Sequence, residues 1–275
     1  MNIAELRKQG LELLSRSGFD APEHECDYLL SGALKLPLLT LHLDPQREIT
    51  PREAERIVGF FKRRAAREPA QYILGTAPFR DLELEVTPAV LIPRPETEEL
   101  VDLALERAPR NGSVLDMGTG SGAIPLALKS ERPDLHITAV DLSPDALEVA
   151  QRNSQKLKLA VDFRHSDLWS ALEGRIFDLV TANLPYVSED EYKECSQEIF
   201  FEPVMALTAP DNGLALMKKM IADLSLHLSP GGWAIFELSH HQNPVICQFG
   251  RALGFAAECK YDMAGKARFV LLQKV

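Results

Sequence analysis

Apolar residues recur at helical spacing through the first seventy positions. Ile3, Leu6, Leu11, Leu13 and Leu14 give a helix-like stripe, which Gly18 and Pro22 interrupt. The spacing resumes from His24 to Leu34, and Pro37 and Pro45 bracket another connection. Thr50-Pro51 followed by Glu53 is a helix start: a capping hydroxyl, a proline in the first turn, then an acid near the positive end. That helix is predicted to run to about Arg67, where Glu68-Pro69 ends it. No strand-like alternation precedes residue 70, so residues 1–70 read as a small helical domain.

The pattern then changes. Leu82, Leu84 and Val86 alternate strictly with Asp81, Glu83 and Glu85, which predicts a β-hairpin linker over residues 71–90. Pro88, Pro93 and Pro95 stiffen the chain before a helix beginning near Glu96. From Ser113 short apolar runs alternate with helical stretches. Strands are predicted at Val114–Met117, His136–Val140, Val161–Arg164, Phe177–Thr181, Trp233–Leu238, Phe255–Lys260 and Arg268–Leu272. Such alternation implies an α/β domain over residues 91–275, with a seven-stranded, mostly parallel sheet covered by helices on both faces. Ligands of these sheets bind at the carboxyl ends of the strands.

Composition narrows the class. At 275 residues, with 45% hydrophobic and 25% charged residues, the chain can build a core without staples. Its apolar runs are broken by charges and fall short of the roughly 18–20 residues of a membrane span, and the start, MNIAELRKQGLELL, has no apolar signal core. No membrane association is expected. Cys26, Cys195, Cys247 and Cys259 form no CxxC pair, which fits free thiols in a reducing cytoplasm. The histidines are scattered, so no metal site is expected. The net charge of −10 argues against a general nucleic-acid binder and makes direct nucleic-acid contact unnecessary. Basic and acidic residues balance over residues 1–70, so the whole excess falls in 71–275. The cluster Lys62-Arg63-Arg64 with Arg67 is a solvated helix face or a contact surface for an acidic or RNA-rich partner. The chain is expected to act as a monomer.

The first candidate site follows the first strand of the sheet. Leu115-Asp116-Met117 leads into Gly118-Thr119-Gly120-Ser121-Gly122, and a helix follows. Glycine at every second position lets the backbone turn tightly and approach a ligand. The helix aims its free N–H groups at the same space, so an anionic group should sit there. The P-loop pattern would need Gly-Lys-Ser/Thr, but Gly122 precedes Ala123, and the spacing is not the GxGxxG of dinucleotide folds. Asp116 would repel a pyrophosphate and suits a ligand carrying an ammonium. Asp141 ends the next strand, 19 residues beyond Gly122, near the ~20-residue offset at which an acid meets ribose hydroxyls. Carboxylate, ammonium and ribose together describe S-adenosylmethionine. After the third strand, Asp167 can accept from an adenine amine while Leu168 or Trp169 packs on the ring, Trp169 being equally well explained as core.

The second candidate site is Asn183-Leu184-Pro185-Tyr186, after the fourth strand. An amide or exocyclic amino nitrogen is a poor nucleophile with two in-plane hydrogens. Two acceptors that bind both hydrogens orient it toward a methyl donor, which is positioning with electrostatic help. Asn183 supplies a side-chain oxygen and Leu184 a backbone carbonyl, which Pro185 stiffens. Tyr186 offers a flat ring to a planar amide or base. An Asn-x-Pro turn is commonplace; its place at the carboxyl edge shared with the glycine loop gives it function.

These residues carry a resemblance. VLIPRPETE (90–98), LDMGTGSGAI (115–124), Asp141, SDLWSAL (166–172), NLPYV (183–187) and FEPVMAL (201–207) are similar to motifs of the peptide chain release factor glutamine methyltransferases, over nearly the whole chain. The resemblance implies a class I methyltransferase Rossmann-like fold behind a helical substrate-docking domain and hairpin. It implies that Gly118 to Gly122, Asp141 and Leu168 contact S-adenosylmethionine and that Asn183 contacts both cofactor and substrate. Asn183 to Tyr186 would hold the glutamine of the GGQ loop of a translation release factor, methylated on its side-chain amide nitrogen. Leu184 departs from that family's usual proline, and Leu168 stands where an aromatic is frequent. Two rivals are a DNA adenine amino-methyltransferase, against which the acid excess of residues 71–275 argues, and a non-catalytic cofactor-binding scaffold, against which the intact acceptor segment argues.

Overall fold

The computed structural model describes residues 1–275, which divide into two compact units: Met1–Thr76 with Ser196–Phe201, and Ala77–Cys195 with Glu202–Val275. The first unit holds five helices: α1 (Ile3–Arg16), α2 (Pro22–Leu34), α3 (Leu38–Leu43), α4 (Pro51–Ala65) and α5 (Ala70–Leu74). The short α3 and α5 were not predicted, because at 6 and 5 residues they are too brief to show a period. Asn2 caps α1 in a reciprocal box with Glu5, and Thr50 caps α4 in the same way with Glu53. Ile3, Leu6, Gly10 and Leu14 of α1 and Ala54, Ile57 and Phe61 of α4 turn inward. Gly10 makes the close approach possible: a Cβ there would lie 2.6 Å from the Phe61 ring and 2.8 Å from Cys26 Sγ.

Half of the basic cluster is withdrawn from the surface, while Lys62 and Arg63 stay exposed. Arg64 is only 6% exposed, pairs with Glu25 at 2.7 Å and Glu198 at 3.2 Å, and lies over the Phe19 ring. Arg67 covers the same ring, pairs with Glu198 at 3.3 Å and donates to the Ser17 and Gly18 carbonyls. Arg63 pairs with Glu68. Arg64 and Arg67 are therefore committed to an internal ion-pair network whose acids, Glu25 of α2 and Glu198, adjacency in sequence does not reveal.

The second unit begins with β1 (Thr76–Phe79) and β2 (Leu82–Glu85), a two-stranded sheet joined by two residues, the connection that antiparallel neighbours permit. Then follow α6 (Pro95–Arg107), β3 (Ser113–Met117), α7 (Ala123–Glu131), β4 (His136–Asp141), α8 (Pro144–Leu157), β5 (Asp162–His165), β6 (Phe177–Ala182), α9 (Glu189–Lys193), α10 (Ala215–His227), β7 (Leu228–Glu237), α11 (Asn243–Ala252), β8 (Phe255–Tyr261) and β9 (Ala267–Lys274). Seven strands form one sheet in the order β5-β4-β3-β6-β7-β9-β8. Pairing is parallel from β5 through β7, and β9 runs antiparallel to both β7 and β8. β7 starts at Leu228, earlier than the predicted Trp233, because Ser229-Pro230-Gly231-Gly232 lacks an apolar signature yet follows β6 through a register shift.

Alternate strand residues serve opposite faces, as the pleat requires. Leu115, Met117, Val180, Ala234 and Phe236 pack with α10 and α11, whereas Val114, Ile137, Leu179 and Ile235 pack with α6 and α7. The chain runs outward from β3 to β5 and returns to β6 on the other side of β3, so a topological switch lies beside β3. Cys247 of α11 and Cys259 of β8 bring their sulfurs to 2.7 Å, a proximity that their spacing in sequence does not show.

Gly10→Ala is expected to destabilise the protein by about 1–3 kcal/mol, the usual cost of overpacking a filled core. Urea unfolding monitored by circular dichroism checks this, and an unchanged midpoint would contradict the packing argument.

Candidate active site

The carboxyl ends of β3, β4 and β6 lie level. Met117 pairs with Val140 on one side and with Ala182 on the other. The loop after β3 is tied down at once: the N–H groups of Gly118 and Thr119 both donate to the Val140 carbonyl, at 2.9 and 3.0 Å. Gly120 N–H donates to Asp141 Oδ2 at 2.8 Å, and Ser143 N–H donates to Oδ1 at 2.9 Å. Asp141 is thus a brace of the loop as well as a cleft residue, a role the sequence did not disclose. Burial raises its carboxyl above the ordinary range, against the pull of these backbone donors. Each of its oxygens keeps a second lone pair for a ligand hydroxyl.

One cleft gathers most of the predicted residues. Gly118, Thr119, Gly120, Ser121, Asp141, Asp167, Leu168, Asn183, Leu184 and Pro185 all line it. Gly122 does not: it starts α7 and packs on Ala150 of α8. Tyr186 also lies outside the lining and packs against the core beneath α10 and α11. Burial and the nearby Glu237 push its hydroxyl up to about 12.

The structure places Leu168 and Trp169 differently. Trp169 is core: its Nε1 donates to the Met220 carbonyl at 2.9 Å, and its ring stacks on His227 at 4.3 Å. Leu168 faces the cleft in a left-handed conformation, φ 49°, and its carbonyl accepts from Ser166 Oγ at 2.6 Å. Asp167 also lines the cleft, and Lys219 pairs with it at 3.3 Å.

Asp116 is fully buried and does not itself line the cleft. Thr181 donates to its Oδ1 at 2.8 Å, while its Oδ2 and the Thr119 hydroxyl have no protein partner. Burial raises the Asp116 carboxyl to about 7.

The acceptor segment is held from several sides. Asn183 Nδ2 donates to Thr97 Oγ1 at 3.2 Å, and Thr97 Oγ1 donates to Glu237 Oε2 at 2.7 Å. Gln242 Nε2 donates to the Tyr186 carbonyl at 2.8 Å. Gly213, at φ 81°, packs so closely on that carbonyl that any Cβ would overlap it. Leu184 reaches across to the cofactor loop, where a Cβ on Gly118 would sit 2.8 Å from its Cδ2. Val187 and Ala209 extend the segment into a short bridge. Glu202, 4% exposed, accepts from Ile92 N–H at 3.0 Å and from Arg94 at 2.5 Å, joining two cleft-lining segments. Thr97, Glu202, Glu237 and Gln242 went unremarked as individual residues. Thr97 and Glu202 lay inside recognisable motifs, and Glu237 could have been found as an acid at a strand's carboxyl end. No group of three His, Cys, Asp or Glu side chains that could hold a metal converges anywhere, and no helix is long and apolar enough to cross a membrane.

Residues 97–213 match the methyltransferase small domain, and residues 5–75 match the PrmC N-terminal domain. Two relatives, both named release factor glutamine methyltransferase, extend the likeness over most of the chain. That of Koribacter versatilis is 40% identical over 87% of this chain and 87% of its own. That of Pseudomonas aeruginosa is 41% identical over 92% of this chain and 94% of its own. The chain belongs to the release factor glutamine methyltransferase family. A methyltransferase from Pyrococcus furiosus shares the fold, with a TM-score of 0.56 at 19% identity over 82% of this chain and 99% of that one.

In this methyltransferase the buried Asp116 makes stability depend on pH. Its carboxyl has an ordinary value of 3.8 and is raised to about 7 when folded. The folded state therefore holds this proton more tightly than the unfolded chain, and stability falls as pH rises from about 4 to 7, by at most about 1.4 kcal/mol per pH unit. Glu237, raised to about 7, adds a loss of the same sign. Asp116→Asn is expected to make the decline shallower without abolishing it. Denaturant midpoints between about pH 5 and pH 8 test this, and an unchanged slope would contradict it.

Proposed function

We propose that this chain transfers a methyl group from S-adenosylmethionine to the side-chain amide nitrogen of the glutamine in the GGQ motif of translation release factors. The observation that carries the reading is the Asn183 amide, held at the cleft by Thr97 and set beside the glycine loop, in a chain of this family. The cleft fits the cofactor. Asp116 Oδ2 and Thr119 Oγ1 are buried polar atoms without partners, and they flank the turn where a zwitterionic methionine end would lie. In this reading Gly118 to Ser121 cradle that end with backbone N–H groups. Asp141 takes the ribose hydroxyls on its remaining lone pairs. Leu168 packs on the adenine, with Asp167 at its edge.

Bound S-adenosylmethionine supplies a methyl carbon made electrophilic by the adjacent positive sulfur. The protein supplies geometry. Asn183 Oδ1 and the Leu184 carbonyl accept the two in-plane hydrogens of the substrate amide, so its nitrogen faces the methyl carbon. With the cofactor bound, its sulfur would be the leaving group as the amide nitrogen took the methyl, and the surplus amide proton would leave to solvent. A buried base is unnecessary because the methylated nitrogen is strongly acidic. Pro185 keeps the Leu184 carbonyl in place, and Leu184 closes the segment onto Gly118.

The helical unit is the part that engages the body of the protein substrate. Its exposed apolar side chains Leu38, Leu39 and Leu43 support this better than the paired arginines do. The enzyme works as a cytoplasmic monomer and needs no nucleic acid. Four free cysteines fit a reducing compartment.

Labelled methyl from S-adenosylmethionine should appear on a purified release factor and be absent from a GGQ→GGA factor. Asn183→Ala should lower the rate by at least about 100-fold, as loss of a transition-state hydrogen-bond partner does, without losing cooperative unfolding. Label on DNA in place of the factor would overturn the assignment.

A further inference from the structure

The acceptor side chain is oriented by residues far from it in sequence. Thr97 sits in the first turn of α6 and is 5% exposed; Glu237 is the last residue of β7 and is 1% exposed. Asn183 follows β6, the neighbour of β7 in the sheet. The two bonds, Asn183 Nδ2 to Thr97 Oγ1 and Thr97 Oγ1 to Glu237 Oε2, form a relay of 3.2 and 2.7 Å.

Such a relay has a direction. A threonine hydroxyl has one proton to give, and a carboxylate has none. While Glu237 is ionised, Thr97 must spend its proton on Glu237 and can only accept from Asn183. The amide is then forced to turn Nδ2 toward Thr97 and leave Oδ1 for the cleft. A protonated Glu237 reverses the logic. Its carboxyl can donate to Thr97, Thr97 can donate to Asn183 Oδ1, and the amide can present Nδ2 to the substrate. An NH₂ group cannot accept a hydrogen bond from a glutamine amide.

We propose that Thr97 and Glu237 are positioning residues that fix the Asn183 amide in its accepting orientation, and that the Glu237 carboxylate must be ionised for them to do so. This rests on the glutamine-methylation reading above. The charged and titratable groups facing Glu237 are Arg94, which precedes α6, Glu96 of α6, Arg268 from β9 and the Tyr186 hydroxyl. Arg94 is committed to Glu202 and Arg268 to Asp262, so neither replaces Thr97 as the hydrogen-bonding partner of Oε2. Burial dominates and brings the Glu237 carboxyl to about 7. The sign follows: the accepting orientation is enforced above that value and lost below it.

The test uses the full-length enzyme, purified release factor and labelled S-adenosylmethionine, with kcat and KM measured from about pH 5.5 to 8.5. Thr97→Val is expected to lower kcat about 10–100-fold while leaving calorimetric affinity for S-adenosylmethionine within about twofold. Thr97→Ser, which keeps the hydroxyl, should restore most of kcat. Native kcat should fall with acid along a limb near pH 7, and Glu237→Gln, which cannot titrate, should lose that limb. Asp116 titrates in the same range, so persistence of the limb in Glu237→Gln would assign it elsewhere and overturn the proposal. Native-like kcat in Thr97→Val would overturn it too. If Thr97→Val fails to unfold cooperatively, Thr97→Ser and Glu237→Gln decide by the same two readouts. A fully active Asn183→Ala would instead sink the methylation reading itself, whereas an inactive Asn183→Ala beside an unaffected Thr97→Val would sink the relay alone.

Discussion

Parallel pairing of β3 with β4 on one side and β6 on the other is the constraint from which the site follows. Met117 stands opposite Val140 and Ala182, so the segments leaving all three strands emerge at one level. Gly118 and Thr119 then share the Val140 carbonyl, and Leu184 folds back onto Gly118. A slip of one residue would exchange the faces that Asp116 and Met117 occupy and part the glycine loop from Asn183. The apolar alternation of β3 and β6 between two helical layers prevents the slip, because each face has its own core to fill. The hydrophobic effect therefore sets the geometry, and the polar chemistry inherits it.

That arrangement leaves two carboxyl groups in low dielectric, with threonine hydroxyls as their hydrogen-bond donors. Asp116 is bonded by Thr181 and Glu237 by Thr97. Burying a carboxylate with so few donors costs folding free energy. Both lie at or just before the carboxyl ends of the two strands that flank β6, Asp116 in β3 and Glu237 in β7. Elsewhere the acids are well matched. Glu202 holds Arg94 and a backbone N–H, and Asp262 holds Arg268. Unfavourable burial is concentrated at the carboxyl edge of the sheet that carries the cleft.

What was legible in the sequence was local. The glycine loop, Asp141 and Asn183-Leu184-Pro185 are contiguous runs whose chemistry and position after a strand could be read together, and the seven strands showed through their apolar alternation. What escaped depended on pairings across the fold. Thr97 and Glu237 are 140 positions apart and Gln242 lies 56 beyond Tyr186, so no window of sequence contains them. Arg64 and Arg67 looked like free charge because Glu198, the acid they share, enters from a distant segment. Trp169 reads equally as core or ligand contact because a large ring after a strand suits both, and its core contacts, the Met220 carbonyl and the His227 ring, lie more than fifty positions away.

The short excursion Ser196–Phe201 has a consequence for how the molecule is made. A ribosome releases the chain from its amino end, and domains generally condense as they emerge. The helical unit has nearly all its apolar core by residue 76, but the carboxylate that joins Arg64 and Arg67 arrives 134 and 131 positions after them. Glu25 is already present and can neutralise Arg64 in the interval. The nascent helical bundle must therefore wait, folded but short of one acid, until most of the sheet has been synthesised. Its last ion pairs close only after β6 and the acceptor segment have left the ribosome.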